Sequence, residues 1–206
     1  MRTSVRRFQI YFVMAMAFFT WGCTTTFSVP NVTLQSKGSD YIADKKIDLV
    51  VNLCLTDALK DAKWEKHSMG DTWVIPIGEQ LAKNARETSE IAFQRVLVSS
   101  SPVPAESKQV DVYLTPRVAV IERSVGTTGF GESIFTITME WKMEDLNHNI
   151  IWADSITGQG KANTGNIFTY KGYAEKQMEM LLNDLFSKSL TAMRTSPEIN
   201  NFASRK

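Results

Sequence analysis

The chain has 206 residues, with 23 Lys+Arg against 22 Asp+Glu, a formal net charge of +1 and 43% hydrophobic residues. That length suits one ordinary core. The balanced charge excludes the strong basic excess that marks a general nucleic-acid binder.

The first elements lie in a leader. Arg2, Arg6 and Arg7 give a positive start, and Ile10 to Gly22 is almost wholly apolar. The run is shorter than the roughly 18 apolar residues a bilayer span needs. A charged start, an apolar stretch of about 7–15 residues and a small residue at its end make a secretory signal pattern over 1–22. Gly22 is the small residue and Cys23 follows it directly. These residues resemble the lipobox of bacterial lipoproteins, although Thr20 and Trp21 stand where that family usually has Leu and a small residue. The resemblance implies cleavage after Gly22, a diacylglycerol on the Cys23 thiol and acylation of the new amino group. An ordinary secreted protein cut near Gly22, or a short uncleaved anchor, are the alternatives. Two or more acyl chains hold a protein stably on a membrane. Thr24 is not the Asp that retains such proteins at the inner membrane, so the resemblance implies the outer membrane, facing the periplasm. Loss of the three leader arginines leaves 20 basic against 22 acidic residues, a formal charge of −2.

Residues 23–44 read as the lipidated N-terminus with a tether or extended arm, polar and broken by Pro30 and Gly38. A single domain is expected over 45–196. Ile47 to Cys54 is rich in branched residues and reads as a strand. Residues 55–70 fit a short helix or an ordered loop, and Asp71 to Ile75 a short strand stopped by Pro76. Pro76 to about Arg95 is a helix, with Ile77, Leu81, Ala85, Thr88, Ala92 and Val96 at three- and four-residue steps. A loop covers 99–107. Val110 to Ile121 is a strand in which Pro116 marks an edge, a bulge or a break. Phe135 to Glu144 is the clearest strand, with Phe135, Ile137, Met139, Trp141 and Met143 on one face and Thr136, Thr138, Glu140, Lys142 and Glu144 on the other. Residues 145–149 form its turn and Ile150 to Thr157 its return strand. Gly158 to Gly172 reads as a polar connection. Ala174 to about Met193 is a second helix, ended by Pro197, and 197–206 a polar tail. The expected fold is α+β: a mostly antiparallel sheet of about four strands with two amphipathic helices on one face.

The chemistry is sparse. His67 and His148 are the only histidines, and no CxxC or HExxH occurs, so neither a metal site nor a cofactor is expected. No G-x-S-x-G elbow occurs. Gly158 to Gly165 lacks the order of a phosphate loop. Cys54 lies in an apolar run and reads as a small buried hydrophobe; a Cys54–His67 nucleophile pair is the sharper alternative. Asp57, Asp61 and Glu65 alternate with lysines as a solvated face. Phe130, in the glycine-rich hairpin Gly126 to Gly131, is a candidate partner or lipid contact, or simply packs.

The anchored start, the element order and the late helix resemble small envelope lipoproteins, the YajG-like and LptE-like families. The resemblance covers most of the mature chain as element order only. It implies a non-catalytic lipoprotein serving as an accessory or scaffold subunit in an outer-membrane assembly, transport or secretion system. It would be anchored at Cys23 and bound to an envelope protein, with no nucleic-acid partner. A lipid- or glycan-binding module is the alternative.

Overall fold

The computed structural model describes residues 24–32, 46–68, 71–101, 110–125, 132–163 and 170–206. Their elements are β1 (Thr24–Thr26), β2 (Ile47–Cys54), α1 (Asp57–Lys60), β3 (Lys63–Ser68), β4 (Asp71–Pro76), α2 (Gly78–Ala92), β5 (Phe93–Ser99), β6 (Val112–Val125), β7 (Glu132–Glu144), β8 (Ile150–Asn163), α3 (Tyr170–Thr195) and α4 (Pro197–Ser204). The class is α+β.

The sheets correct the expectation of one mostly antiparallel sheet of four strands. Among the described residues there are two mixed sheets, of order β1-β4-β3 and β5-β2-β6-β7-β8. In the larger one, β2 pairs in parallel with both β5 and β6, while β6, β7 and β8 form an antiparallel meander. Parallel neighbours need a long crossover. The chain from β2 to β5 supplies one through α2.

The meander carries the core. Phe135, Ile137, Met139, Trp141 and Met143 are at most 1% exposed, and the residues between them face outward. Against this face lies α3, through Met178, Leu181, Leu182, Leu185, Phe186 and Ser189, while α2 packs beside α3 and against β5. The Trp141 indole N–H donates to Ser189 Oγ at 3.1 Å, and its ring meets Phe186 edge-on. Pro116 sits two residues past Leu114, where the pairing of β6 with β2 stops. A residue without an N–H costs no ladder bond at such an edge.

Four segments differ from expectation. The helix expected to reach Arg95 ends at Ala92, and Phe93 turns straight into extended backbone. Phe93 there pairs with Ile47 and is fully buried. Residues 63–68 are strand β3, hairpinned with β4. The first part of the connection expected from Gly158 is instead the last six residues of β8, paired with β7 as far as Asn163. Finally, 197–204 is a helix and not a frayed tail. Ser196 caps it by accepting from the Ile199 N–H at 3.2 Å, Pro197 occupies its first turn and Ile199 is fully buried.

Candidate functional site

Phe135, near the start of β7, meets Trp64 of β3 with ring centroids 6.1 Å apart, and Arg123 of β6 lies over the same Trp64. The small sheet, and with it β1, therefore stands at the end of the meander where β7 begins. The start of α3 is at the same end, since Gln177 Nε2 donates to the carbonyls of Ser133 (2.6 Å) and Gly160 (3.1 Å). The turn at Asp145–Asn149 lies at the other end, about 30 Å away at ~3.3 Å per residue.

Residues 24–32 run along the body at the first end. Thr24, Thr25 and Thr26 pair in parallel with Thr72, Trp73 and Val74. The Phe27 N–H donates to the Val74 carbonyl at 3.0 Å, and the Phe27 ring stacks on Trp73 at 5.5 Å. Val32 is buried, and its carbonyl accepts from Gln80 Nε2 of α2 at 2.7 Å. Lys83 of α2 bonds the Asn31 side chain. Between this arm, Ile75 of β4 and the first turns of α3 lies a cleft of about 330 Å³. Among the described residues its lining is Thr26, Phe27, Ser28, Val29, Pro30, Ile75, Glu175 and Met178, largely apolar with a single carboxylate.

Gly22, Cys23 and Phe130, the residues singled out from the sequence, lie outside the described residues. The flanks of Phe130's connection, Val125 and Glu132, stand at the same end as β1. The cleft itself was not foreseen. Its signal is the two-residue spacing of Phe27 and Val29 after three β-branched threonines, which suits a strand laid on a surface.

Cys54 and His67 do not meet as a pair. His67 is on β3, its Nδ1 2.9 Å from Thr72 Oγ1 and its Nε2 3.2 Å from Glu65. Cys54 is fully buried. Burial pushes its thiol above the ordinary value, against a smaller opposing contribution from the Thr115 hydroxyl. A thiol is a poor nucleophile when protonated. Iodoacetamide at pH 8 is therefore expected to leave Cys54 unmodified in the folded chain and to alkylate it on addition of denaturant. Rapid alkylation without denaturant would place the thiol at the surface.

His148 has a positive φ of 63° in the β7–β8 turn and stacks on Tyr113 at 5.5 Å. Asp145 accepts from the backbone N–H groups of Asn147 and Asn149 and from Asn149 Nδ2, each at 2.8 Å. The bonds from Asn149 hold its carboxyl below the usual range. These groups build a turn. Among the described residues no three His, Cys, Asp or Glu side chains gather where a metal ion could be held. No described helix is long and apolar enough to cross a membrane.

No family model and no curated protein matches the chain. Solved structures do match. Protein XCC0632 of Xanthomonas campestris, from the DUF330 family, is similar with a TM-score of 0.53 at 13% identity, covering 88% of this chain and 99% of its own. A minor lipoprotein of Acinetobacter baumannii gives a TM-score of 0.43 at 12% identity, covering 73% of this chain and 93% of its own. PelC of Paraburkholderia phytofirmans, solved as a dodecamer, gives 0.37 at 14% identity, covering 68% and 91%. The chain shares the fold of the Xanthomonas protein. Its structural neighbours thus include a DUF330 protein and a lipoprotein, both of Gram-negative bacteria.

Proposed function

We propose that the chain is a lipid-anchored envelope lipoprotein without catalytic activity. It serves as an accessory or scaffold subunit of an outer-membrane assembly, transport or secretion system. The observation that carries this reading is the lipobox-like Gly22-Cys23 joined directly to a strand fastened on the body. Acylation of Cys23 would hold the domain against a membrane by its β1 end, because Thr24 is already part of the small sheet. The opposite end then faces away from that membrane. There Leu146 in the β7–β8 turn and Ile150 just after it, 46% and 64% exposed, offer an apolar contact to an envelope protein.

Cys23→Ala removes the acceptor of the anchor. It is expected to move the protein from the membrane pellet to the soluble periplasmic fraction with its melting temperature unchanged. Retention in the pellet after a high-salt wash would contradict acylation at Cys23. The cleft favours a second reading, a carrier of an apolar envelope component. Its hydrocarbon lining suits a lipid better than a glycan.

A further inference from the structure

We propose that the cleft between the arm and α3 holds one acyl chain of the anchor on Cys23, so that the lipid grips its own protein as well as the membrane. This rests on the lipid-anchored reading above. Thr26, three residues after Cys23, already lines the cleft. At ~3.3 Å per residue those three residues span about 10 Å, a distance that a long acyl chain bridges.

The lining selects for hydrocarbon. Phe27, Val29, Pro30, Ile75 and Met178 present apolar surface, no lysine or arginine joins them among the described residues, and Glu175 repels a phosphate or carboxylate head. The volume of about 330 Å³ lies near the lower end of the ~300–1,000 Å³ typical of ligand pockets. That suits one chain and not a whole lipid. The walls are built before the occupant arrives. The arm is fastened by the Phe27–Val74 bond, the Phe27–Trp73 stack and the Gln80–Val32 bond. Filling a preformed cleft orders little further.

A methylene gains about as much in a bilayer core as in an apolar cleft, so an unattached fatty acid has little reason to leave the membrane. A chain on Cys23 differs because its covalent link to Thr24 keeps it at high effective concentration beside the cleft. It therefore divides between the two, while the remaining chains stay in the bilayer. The consequence is orientation: the β1 end is pinned to the membrane surface, and the domain does not swing freely about its anchor.

The test uses the full chain made in a Gram-negative host fed a fatty acid with a diazirine in its tail. Membranes are irradiated and the digested protein is analysed by fragmentation mass spectrometry. The expected product is a labelled Cys23 peptide joined to the peptide of Met178 or of Ile75. That crosslink should be lost in Met178→Trp, which fills the cleft, and in Val29→Trp, which blocks it from the half-buried arm. Labelling of Cys23 should persist in both, and a thermal melt identifies which of the two variants is folded. Label on Cys23 crosslinked to phospholipid alone would overturn the cleft proposal and leave the anchor standing. A chain without label on Cys23 would overturn both. A crosslink undiminished in a folded variant would also overturn the cleft as the site.

Discussion

Trp141→Asp is expected to abolish the cooperative thermal transition. Trp141 is 1% exposed at the centre of the β7 face, edge-on to Phe186 and bonded to Ser189. Removing a buried Trp side chain costs roughly 3–5 kcal/mol. A carboxylate placed there would meet the Phe186 ring and the Ser189 hydroxyl, and an unpaired buried charge costs several kcal/mol more unless it is neutralised. Domains have only about 5–15 kcal/mol in total. Far-ultraviolet circular dichroism during heating should therefore show no sharp melt. Trp141→Phe separates the contributions. It keeps an aromatic ring and loses the indole donor, for about 1 kcal/mol, and should still melt cooperatively. A wild-type melt of the Asp variant would mean that this face is not the core.

The second large effect is expected at Gly160. A β-carbon built there would stand 2.0 Å from the Gln177 carbonyl oxygen and 2.9 Å from Leu181 Cβ. The obstacle is helix backbone, which cannot rotate aside as a side chain can. Gly160→Val must lift α3 off the end of β8, and so weaken the bonds from Gln177 to Gly160 and Ser133. Overpacking of this kind costs roughly 3 kcal/mol, and a protein of this size loses about 2–4 °C per kcal/mol. The melting temperature should fall by about 10 °C, with β8 amides near Gly160 exchanging faster than those near Trp152. An unchanged melting temperature would show that α3 does not sit on the strand.

The same glycine shows why part of the fold was hidden in the sequence. Gly158 and Gly160 lie where α3 comes closest to β8, and Leu185 Cβ would be 2.4 Å from a β-carbon at Gly158. Glycine in a strand can signal close backbone approach as well as a loop, and reading it as a loop shortened β8 by six residues. Pro197 was ambiguous in a similar way. It ends α3, and with Ser196 before it and Glu198 after it, it also begins α4. At Val96 two periods compete. It falls four residues after Ala92, in step with the helix, yet belongs to a strand because parallel pairing with β2 overrides the helical pattern. Where one face is buried and the other wet, the pattern was unambiguous, as along β7 and the stripe of α3. The parallel pairing of β2 leaves no local mark, since each strand looks the same whichever way its neighbour runs.

For the candidate site, the sequence carried the chemistry and the structure supplied the placement. Cys23 stands out by its position after an apolar run, a one-dimensional signal that needs no fold. The cleft is assembled from the arm, β4 and α3, whose contributing residues stand as far apart in the chain as Thr26 and Met178. Only pairing of β1 with β4 brings them together. That pairing makes Thr24–Thr26, the first described residues of the expected tether or extended arm, a strand laid on the body. A lipid there would draw the body of the protein to the membrane and not merely tether it nearby.

The proposed anchor requires Cys23 to be the lipidated N-terminus of the mature protein. The intact mass of protein extracted from membranes of its native host, with fragmentation of its N-terminus, tests it most directly. The expected species is a chain that begins at Cys23 and carries the added mass of diacylglycerol and an amide-linked acyl group. An unmodified N-terminus, at Cys23 or elsewhere, would contradict it.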